Sequence, residues 1–200
     1  MKMPKITFRY SWPYDRHWNS WIKQNPDLSK RKLLEEVDIF DVVKQLEKLW
    51  NPFENKILKE ISTILKLDWQ EKGIICYIVS NGRGISDPMT IGINERRPEK
   101  IIHTLIHELT HRIFIQDKNK KKAETAWNWI RKKYKNESQI TQIHIVCHSL
   151  LKHLYLKFFD EKSLREDIKR CQKNEEYKKA WEIVEGDDYR KIIEEFVSKY

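Results

Sequence analysis

The chain has 200 residues, which is enough for one domain with a hydrophobic core and for an appended helical subdomain. Its 39 basic and 30 acidic residues give a net charge of +9 at pH 7, which permits a nucleic-acid or acidic partner without requiring one. The first residues lack the apolar run of a signal peptide, and no stretch of 18 apolar residues occurs. We therefore expect a soluble, cytoplasmic protein that does not enter a membrane.

The N-terminal third predicts one strand and two helices. Residues 5–11 alternate apolar and polar side chains, as in a half-buried strand. Residues 12–26 are predicted to be irregular, and their aromatic side chains either line a cleft or cover one end of the core. These side chains are Trp12, Tyr14, His17, Trp18 and Trp21. A helix is predicted from Pro26 to Trp50, and a second helix carries the apolar stripe of residues 57–65.

Two further strands are predicted before the middle of the chain. Residues 74–80 form a short continuous apolar run, and residues 89–94 alternate as a strand that pairs with them. Between them, residues 81–84 have the composition of a turn. They lack both the G-x-G-x-x-G pattern and the Lys-Ser/Thr of a phosphate-binding loop. The three strands together predict a small sheet.

The remainder of the chain is predicted to be mainly helical. Apolar residues recur at helical spacing through residues 98–114, and residues 117–122 are expected to form a solvated turn with four lysines. An amphipathic helix is predicted at residues 123–134, and a long apolar helix at residues 140–159. From residue 161 onward the pattern is charged and helical, with Gly186 closing one helix.

The three cysteines form no C-x-x-C pair and are widely spaced. They are Cys76, Cys147 and Cys171. An odd number of widely spaced cysteines cannot pair completely, so we expect buried, reduced thiols.

The motif that carries chemistry is His107-Glu108-Leu109-Thr110-His111, an H-E-x-x-H sequence. On an α-helix, residues four apart lie on one face and are separated by about 6 Å of rise. His107 and His111 can therefore direct ring nitrogens at one ion. Glu108, turned about 100° away, can reach a water bound to that ion.

The segment IIHTLIHELTHRIF, residues 101–114, resembles the active-site helix of the zincin metallopeptidases. This resemblance implies a zinc ion held by His107 and His111, with Glu108 as the general base for peptide-bond hydrolysis. It also implies a third protein ligand further along the chain. The fold that it implies is α+β and zincin-like, mainly helical, with a small sheet of about three strands next to the active-site helix.

The residues immediately after the motif narrow the type of zincin. The metzincin extension H-E-x-x-H-x-x-G-x-x-H is absent, because Phe114 and Asp117 stand in place of its glycine and third histidine. A gluzincin-like arrangement, with the third ligand on a later helix and usually a glutamate, is the remaining option.

Four residues are candidates for the third ligand. Glu124 follows His111 closely through a lysine-rich turn, and Glu137 lies in a polar helix start that suits capping. His144 and His148 lie within an apolar helix, where an unpaired imidazole would be costly. His144 is therefore the first choice, with His148, Glu124 and Glu137 left open.

If His144 is the ligand, His148 lies one turn further along the same helix face. There it either donates a hydrogen bond to the oxyanion that forms on the peptide carbonyl or supports the ligand from behind. The sequence does not separate these two roles.

These observations predict a zinc-dependent metallopeptidase whose zincin-like domain spans residues 1–160, with a helical extension, residues 161–200, packed on the same domain. A peptide or protein is the expected substrate, held as a strand along the edge formed by residues 89–94. Gly92 there either lets a substrate backbone approach or marks a tight packing contact. The alternatives are a nucleic-acid-associated basic protein with a zinc site, in which lysines beside Trp127 and Trp129 bind the nucleic acid, and a non-catalytic zinc protein.

Overall fold

A computed structural model of the protein describes residues 2–24, 36–94 and 97–200. Within these residues the chain forms ten helices and a four-stranded mixed sheet. The predicted α+β class, mainly helical with a small sheet, is therefore confirmed. The helix start predicted at Pro26 lies outside the described residues.

The strands of the sheet all precede the H-E-x-x-H motif. They are β1 (Lys5–Tyr10), β2 (Gly73–Val79), β3 (Ile85–Ser86) and β4 (Met89–Gly92). The helices are α1 (Trp12–Lys23), α2 (Glu36–Trp50), α3 (Glu54–Leu65), α4 (Pro98–Ile115), α5 (Asp117–Lys122), α6 (Glu124–Lys133), α7 (Gln139–Phe158), α8 (Glu161–Cys171), α9 (Glu175–Gly186) and α10 (Tyr189–Val197). None of these helices has the length and apolarity that a membrane span requires.

The chain divides into two compact units. The sheet unit comprises Lys2–Lys56 and Glu71–Leu109, and the helical unit comprises Ile57–Gln70 and Thr110–Tyr200. Helix α4 is continuous through the point of division. The predicted domain boundary at residue 160 stays a prediction.

The sheet has the strand order β1-β2-β4-β3. Strands β1, β2 and β4 run parallel, whereas the two-residue strand β3 is antiparallel to β4. The predicted pairing of residues 74–80 with residues 89–94 is confirmed, with Ile78 opposite Ile91. The predicted number of strands was one too low, because β3 is too short to show a period of its own.

The aromatic stretch after β1 is a helix, α1, so the prediction of an irregular segment is wrong. Pro13 lies in the first turn, where its missing N–H costs no hydrogen bond. The buried carboxylate of Asp15 accepts hydrogen bonds of 2.6 Å from both the backbone N–H and the hydroxyl of Ser80. These bonds fix α1 against the end of β2.

The predicted lysine turn is also wrong, because residues 117–122 form the short helix α5. The side-chain amide of Asn119 is buried and donates bonds of 2.8 Å to the carbonyl oxygens of Asp68 and Ile113. The four lysines of this segment remain exposed, as predicted. The buried side chain of Asn119 therefore anchors an otherwise charged segment.

Helix α7 lies in the core of the helical unit, where it packs against α8, α9 and α10. Its observed bounds differ from the predicted ones by one residue at each end. Helix α9 ends at Gly186 as predicted, and the side chain of Asp188 then accepts from the N–H of Arg190 to cap α10. All three cysteines are free and buried, which confirms their prediction as reduced thiols.

Gly92 lies in a strand that is interior to the sheet over Met89 and Thr90, because β3 pairs with β4 there. A Cβ atom at Gly92 would lie 2.6 Å from the carbonyl oxygen and 2.8 Å from the carbonyl carbon of Gly82. The approach of a substrate strand along residues 89–94 stays a prediction. Gly92 marks a tight packing contact, which was the stated alternative.

We expect Gly92→Ala to lower the free energy of unfolding by about 1–3 kcal/mol, because the added methyl group must displace backbone atoms. Urea denaturation followed by circular dichroism measures the loss. Gly73→Ala is the matched control, since its Cβ would lie at an ordinary 3.5 Å from the carbonyl oxygen of Lys5. Equal stability of the two variants would contradict the packing argument.

Candidate metal centre

The H-E-x-x-H motif lies on α4, and this helix has almost no solvent-exposed face. Every side chain from Ile101 to Thr110 is buried, including those of His107 and Glu108. A helix with apolar residues on all sides is typical of a protein interior. The motif therefore places polar groups in a largely apolar environment.

Three histidines are close enough to hold one metal ion. They are the three that the sequence ranked first: His107 and His111 on α4, and His144 on α7. One ligand atom from each lies within 4.8 Å of the others. Nitrogen atoms bound to a tetrahedral zinc ion lie about 3.4 Å apart, so small side-chain rotations complete such a site.

The other candidates for the third ligand do not join this group in the described part of the chain. Glu124 is exposed in the first turn of α6. Glu137 lies just before α7, where its backbone carbonyl accepts a hydrogen bond from the side-chain amide of Gln142. The geometry therefore favours His144 over both glutamates.

The tautomer of His144 suits metal binding. Its Nδ1 lies 2.7 Å from the backbone carbonyl oxygen of Ile140, one turn earlier on α7. A carbonyl oxygen only accepts, so Nδ1 carries the proton and the lone pair is on Nε2. Metal-binding histidines are commonly held in this way by a carbonyl or carboxylate on the second nitrogen.

His111 contacts a residue whose role the sequence did not reveal. Its Nδ1 lies 3.4 Å from the buried thiol sulfur of Cys147. Cys147 follows His144 by three positions on α7, so the two side chains lie on one helix face. This three-residue spacing from His144 was the only sequence signal that could have placed Cys147 near the site. The thiol contacts Nδ1 of His111. The other ring nitrogen, Nε2, therefore faces away from Cys147.

His111 and His144 favour the neutral form. Burial, and then the nearby His144, lower the pKa of His111 to about 3. Burial also lowers the pKa of His144. Neutral imidazole is the form that binds metals, and zinc is among the ions that imidazole nitrogens bind well. The donor set therefore fits a divalent transition metal.

The carboxylate of Glu108 is accommodated by a glycine in the sheet unit. A Cβ atom at Gly84 would overlap Oε1 of Glu108 and would lie 2.8 Å from its Cδ. Only glycine leaves room for the carboxylate there. Burial, and then the negative charge of Glu108, raise the pKa of Cys76 on β2.

His148 is fully buried, and its ring stacks on Trp181 with the ring centroids 4.4 Å apart. It also lies 5.3 Å from His144 by ring centroids. Burial is the main reason that its pKa lies well below the ordinary value. Its assignment as a catalytic residue stays a prediction.

Tyr177 is a neighbour of the site that the sequence analysis missed. Its half-buried ring lies 4.1 Å from the His144 ring by centroids, and 5.9 Å from that of His148. Tyr177 lies on α9, more than 30 residues after His144, and no spacing rule connects the two. Only the packing of α9 on α7 brings them together.

The tryptophans beside the lysine-rich segment do not form an open stacking platform. Trp127 packs edge-to-face between Phe114 and Phe196, with ring centroids 5.0 and 4.9 Å away. The ammonium groups of Lys133 and Lys199 lie 4.9 and 5.6 Å from the centroid of the Trp129 ring. This arrangement matches a solvated face beside core residues. Nucleic-acid binding stays a prediction.

Comparison of the chain with protein-family models, curated proteins and solved structures finds no match.

We expect the purified protein to bind one divalent metal ion. Replacing His107, His111 or His144 by Ala removes one ligand in each case. Each change should weaken binding by more than the roughly 10- to 100-fold that is typical for residues outside the ligand set. Competition with a chromogenic zinc chelator measures the affinity.

Glu124→Ala and Glu137→Ala are the matched controls for this experiment, and both should bind zinc like the parent. The far-ultraviolet circular dichroism spectrum shows whether each histidine variant remains folded. Unchanged affinity in a folded His144→Ala variant, or loss of zinc in either glutamate variant, would disprove the assigned ligand set.

Proposed function

We propose that the protein is a zinc-dependent metallopeptidase with His107, His111 and His144 as the metal ligands and Glu108 as the general base. The observation that supports it best is the grouping of the H-E-x-x-H histidines with a third histidine, His144, from another helix. The carboxylate that the chemistry needs follows the first ligand directly in the sequence.

Three protein ligands are the number found in catalytic zinc sites, which leave the fourth position for water or substrate. A zinc ion bound there lowers the pKa of a water molecule towards 7 and polarises the peptide carbonyl. A zincin-type identity belongs to this proposal. The all-histidine set differs from the glutamate that is usual in the gluzincin arrangement.

Glu108 performs the proton transfers in this proposal. Its carboxylate accepts a proton from the attacking water and delivers it to the nitrogen of the leaving amine. The carboxylate lies against the backbone of Gly84, in space that a side chain at residue 84 would occupy. This contact restricts the position of the carboxylate. A fixed carboxylate loses less entropy when it engages the reacting water.

His148 supports the ligand set in this proposal. Its complete burial and its stacking on Trp181 favour the supporting role that the sequence analysis left open beside donation to the oxyanion. Tyr177, which lies against His144 and is half-buried, also restricts the orientation of that ring.

A non-catalytic metal site is the second candidate. Burial of His107 and His144 favours it, because a buried site leaves little room for a substrate to reach the metal. A bound metal without peptidase activity would identify this case. A peptide or protein substrate and a cytoplasmic location stay predictions from the sequence.

We expect Glu108→Gln to retain the metal and the fold but to lower peptide hydrolysis by about 10²- to 10⁴-fold, because the amide cannot accept the proton. Release of a fluorophore from quenched peptides measures the rate. Glu99→Gln is the matched control on the same helix, since Glu99 is exposed in the first turn of α4. Equal activity of parent and Glu108→Gln would exclude Glu108 as the base.

We expect Gly84→Ala to lower hydrolysis by about tenfold or more while metal affinity stays unchanged, because the methyl group displaces the Glu108 carboxylate and no ligand. Gly186→Ala is the control, since its Cβ would have no atom within 4 Å. Unfolding curves of both variants test whether the effect is on the carboxylate or on the fold. Full activity of a folded Gly84→Ala variant would contradict this placement of the base.

A further inference from the structure

A cavity of about 520 Å³ opens in the sheet unit beside the loop that follows β2. Its volume lies within the range of about 300–1,000 Å³ that small-ligand sites occupy. The residues that line it are His17, Trp18, Trp21, Ile22, Gly82, Arg83 and Asn94. Three of the five aromatic residues considered for a cleft therefore line one, whereas Trp12 and Tyr14 do not.

The apolar wall of the cavity comes from α1. Trp18 and Trp21 meet edge-to-face with ring centroids 5.8 Å apart, and Ile22 is buried beside them. Trp21 is 46% exposed, which leaves much of its ring uncovered by the protein. Aromatic rings offer a large contact area to another apolar side chain.

The charged group of the cavity is the guanidinium of Arg83, which is exposed. Among residues 2–24, 36–94 and 97–200, Arg83 has no carboxylate partner. A guanidinium binds a carboxylate through paired, charge-assisted hydrogen bonds. The cavity therefore combines an aromatic wall with a site for a negative charge.

Hydrogen bonds hold the loop that contributes Gly82 and Arg83 to the cavity. The side chain of Asn94 accepts from the N–H of Gly82 at 2.9 Å and donates to the carbonyl oxygen of Gly82 at 2.5 Å. The close packing of Gly92 on Gly82 supports the same turn. The cavity is thus formed before a ligand arrives, which reduces the entropic cost of binding.

The same loop connects the cavity to the catalytic base. Gly82 and Arg83 line the cavity, and the next residue, Gly84, contacts the carboxylate of Glu108. The cavity lining and the contact with the proposed base are therefore provided by consecutive residues of one loop. This continuity distinguishes the cavity from an unrelated surface depression.

We propose that this cavity selects peptide substrates that carry a large apolar side chain next to a carboxylate. The apolar side chain packs on Trp18 and Trp21, and the carboxylate binds Arg83. The carboxylate belongs either to an internal Asp or Glu or to the C-terminus of the peptide. The proposal rests on the proposed peptidase function and specifies its substrate class.

Binding to the Glu108→Gln protein tests the proposal without requiring turnover. The probes are N-terminally labelled alanine-based peptides, with fluorescence anisotropy as the readout. One peptide has an internal Phe-Glu pair and an amidated end, and another ends in Phe with a free carboxylate. Reference peptides replace Phe by Ala, Glu by Gln, or the free end by an amide.

We expect at least one carboxylate peptide to bind about tenfold or more tightly than both its neutral and its Phe-to-Ala counterparts. Arg83→Gln should remove the preference for the carboxylate, and Trp21→Ala the preference for Phe. Trp12→Ala and Arg16→Gln are the matched controls. Both side chains are exposed on α1 outside the cavity lining, and both variants should keep each preference.

The pattern of binding identifies the source of the carboxylate: the internal pair, the free end or both lose affinity in Arg83→Gln. No preference in the parent, or preferences that survive both cavity variants, would overturn the proposal. If binding is selective but the unsubstituted protein cleaves none of the peptides, the proposed peptidase function fails while the cavity assignment stands.

Discussion

Burial of helix α4 is the constraint on which the functional interpretation depends. Burying an ionised or polar group is costly unless another group satisfies it, so a chain seldom places histidines and a glutamate at the centre of an apolar helix. Here Ile101–Thr110 is buried without interruption, and His107 and Glu108 lie within it. Three imidazoles grouped in this environment offer nitrogen donors that one shared metal ion can bind together.

The predictable parts of the structure are those that depend on the spacing of residues close together in the sequence. Long helices such as α7 have an apolar period that continues for several turns, so their bounds were predicted to within a residue. The paired histidines follow from the rule that residues four apart share a helix face. His144 was preferred because a histidine within an apolar stripe needs a partner, and the structure groups it with His107 and His111.

The parts that were not predictable depend on contacts between distant residues. The prediction of an irregular segment at residues 12–26 missed helix α1, although Pro13 in a first turn is compatible with a helix. Asn119 turns a lysine-rich segment into a helix through carbonyl oxygens that no spacing rule identifies. The role of Gly84 likewise depends on the carboxylate opposite it, and a glycine in a turn gives no sign of such a neighbour.

Function here is inferred from the chemistry of a site, because one fold can serve many reactions and one reaction can occur on many folds. The loop at residues 80–84 links the parts of that site. Ser80 fixes α1 through Asp15, Arg83 gives the cavity its charge, and Gly84 makes room for the base. A substrate that occupies the cavity therefore contacts the same short loop that limits the position of Glu108. In the proposed peptidase, substrate recognition and proton transfer both depend on this one turn, so binding energy gained at Arg83 and Trp21 can be used to orient the peptide.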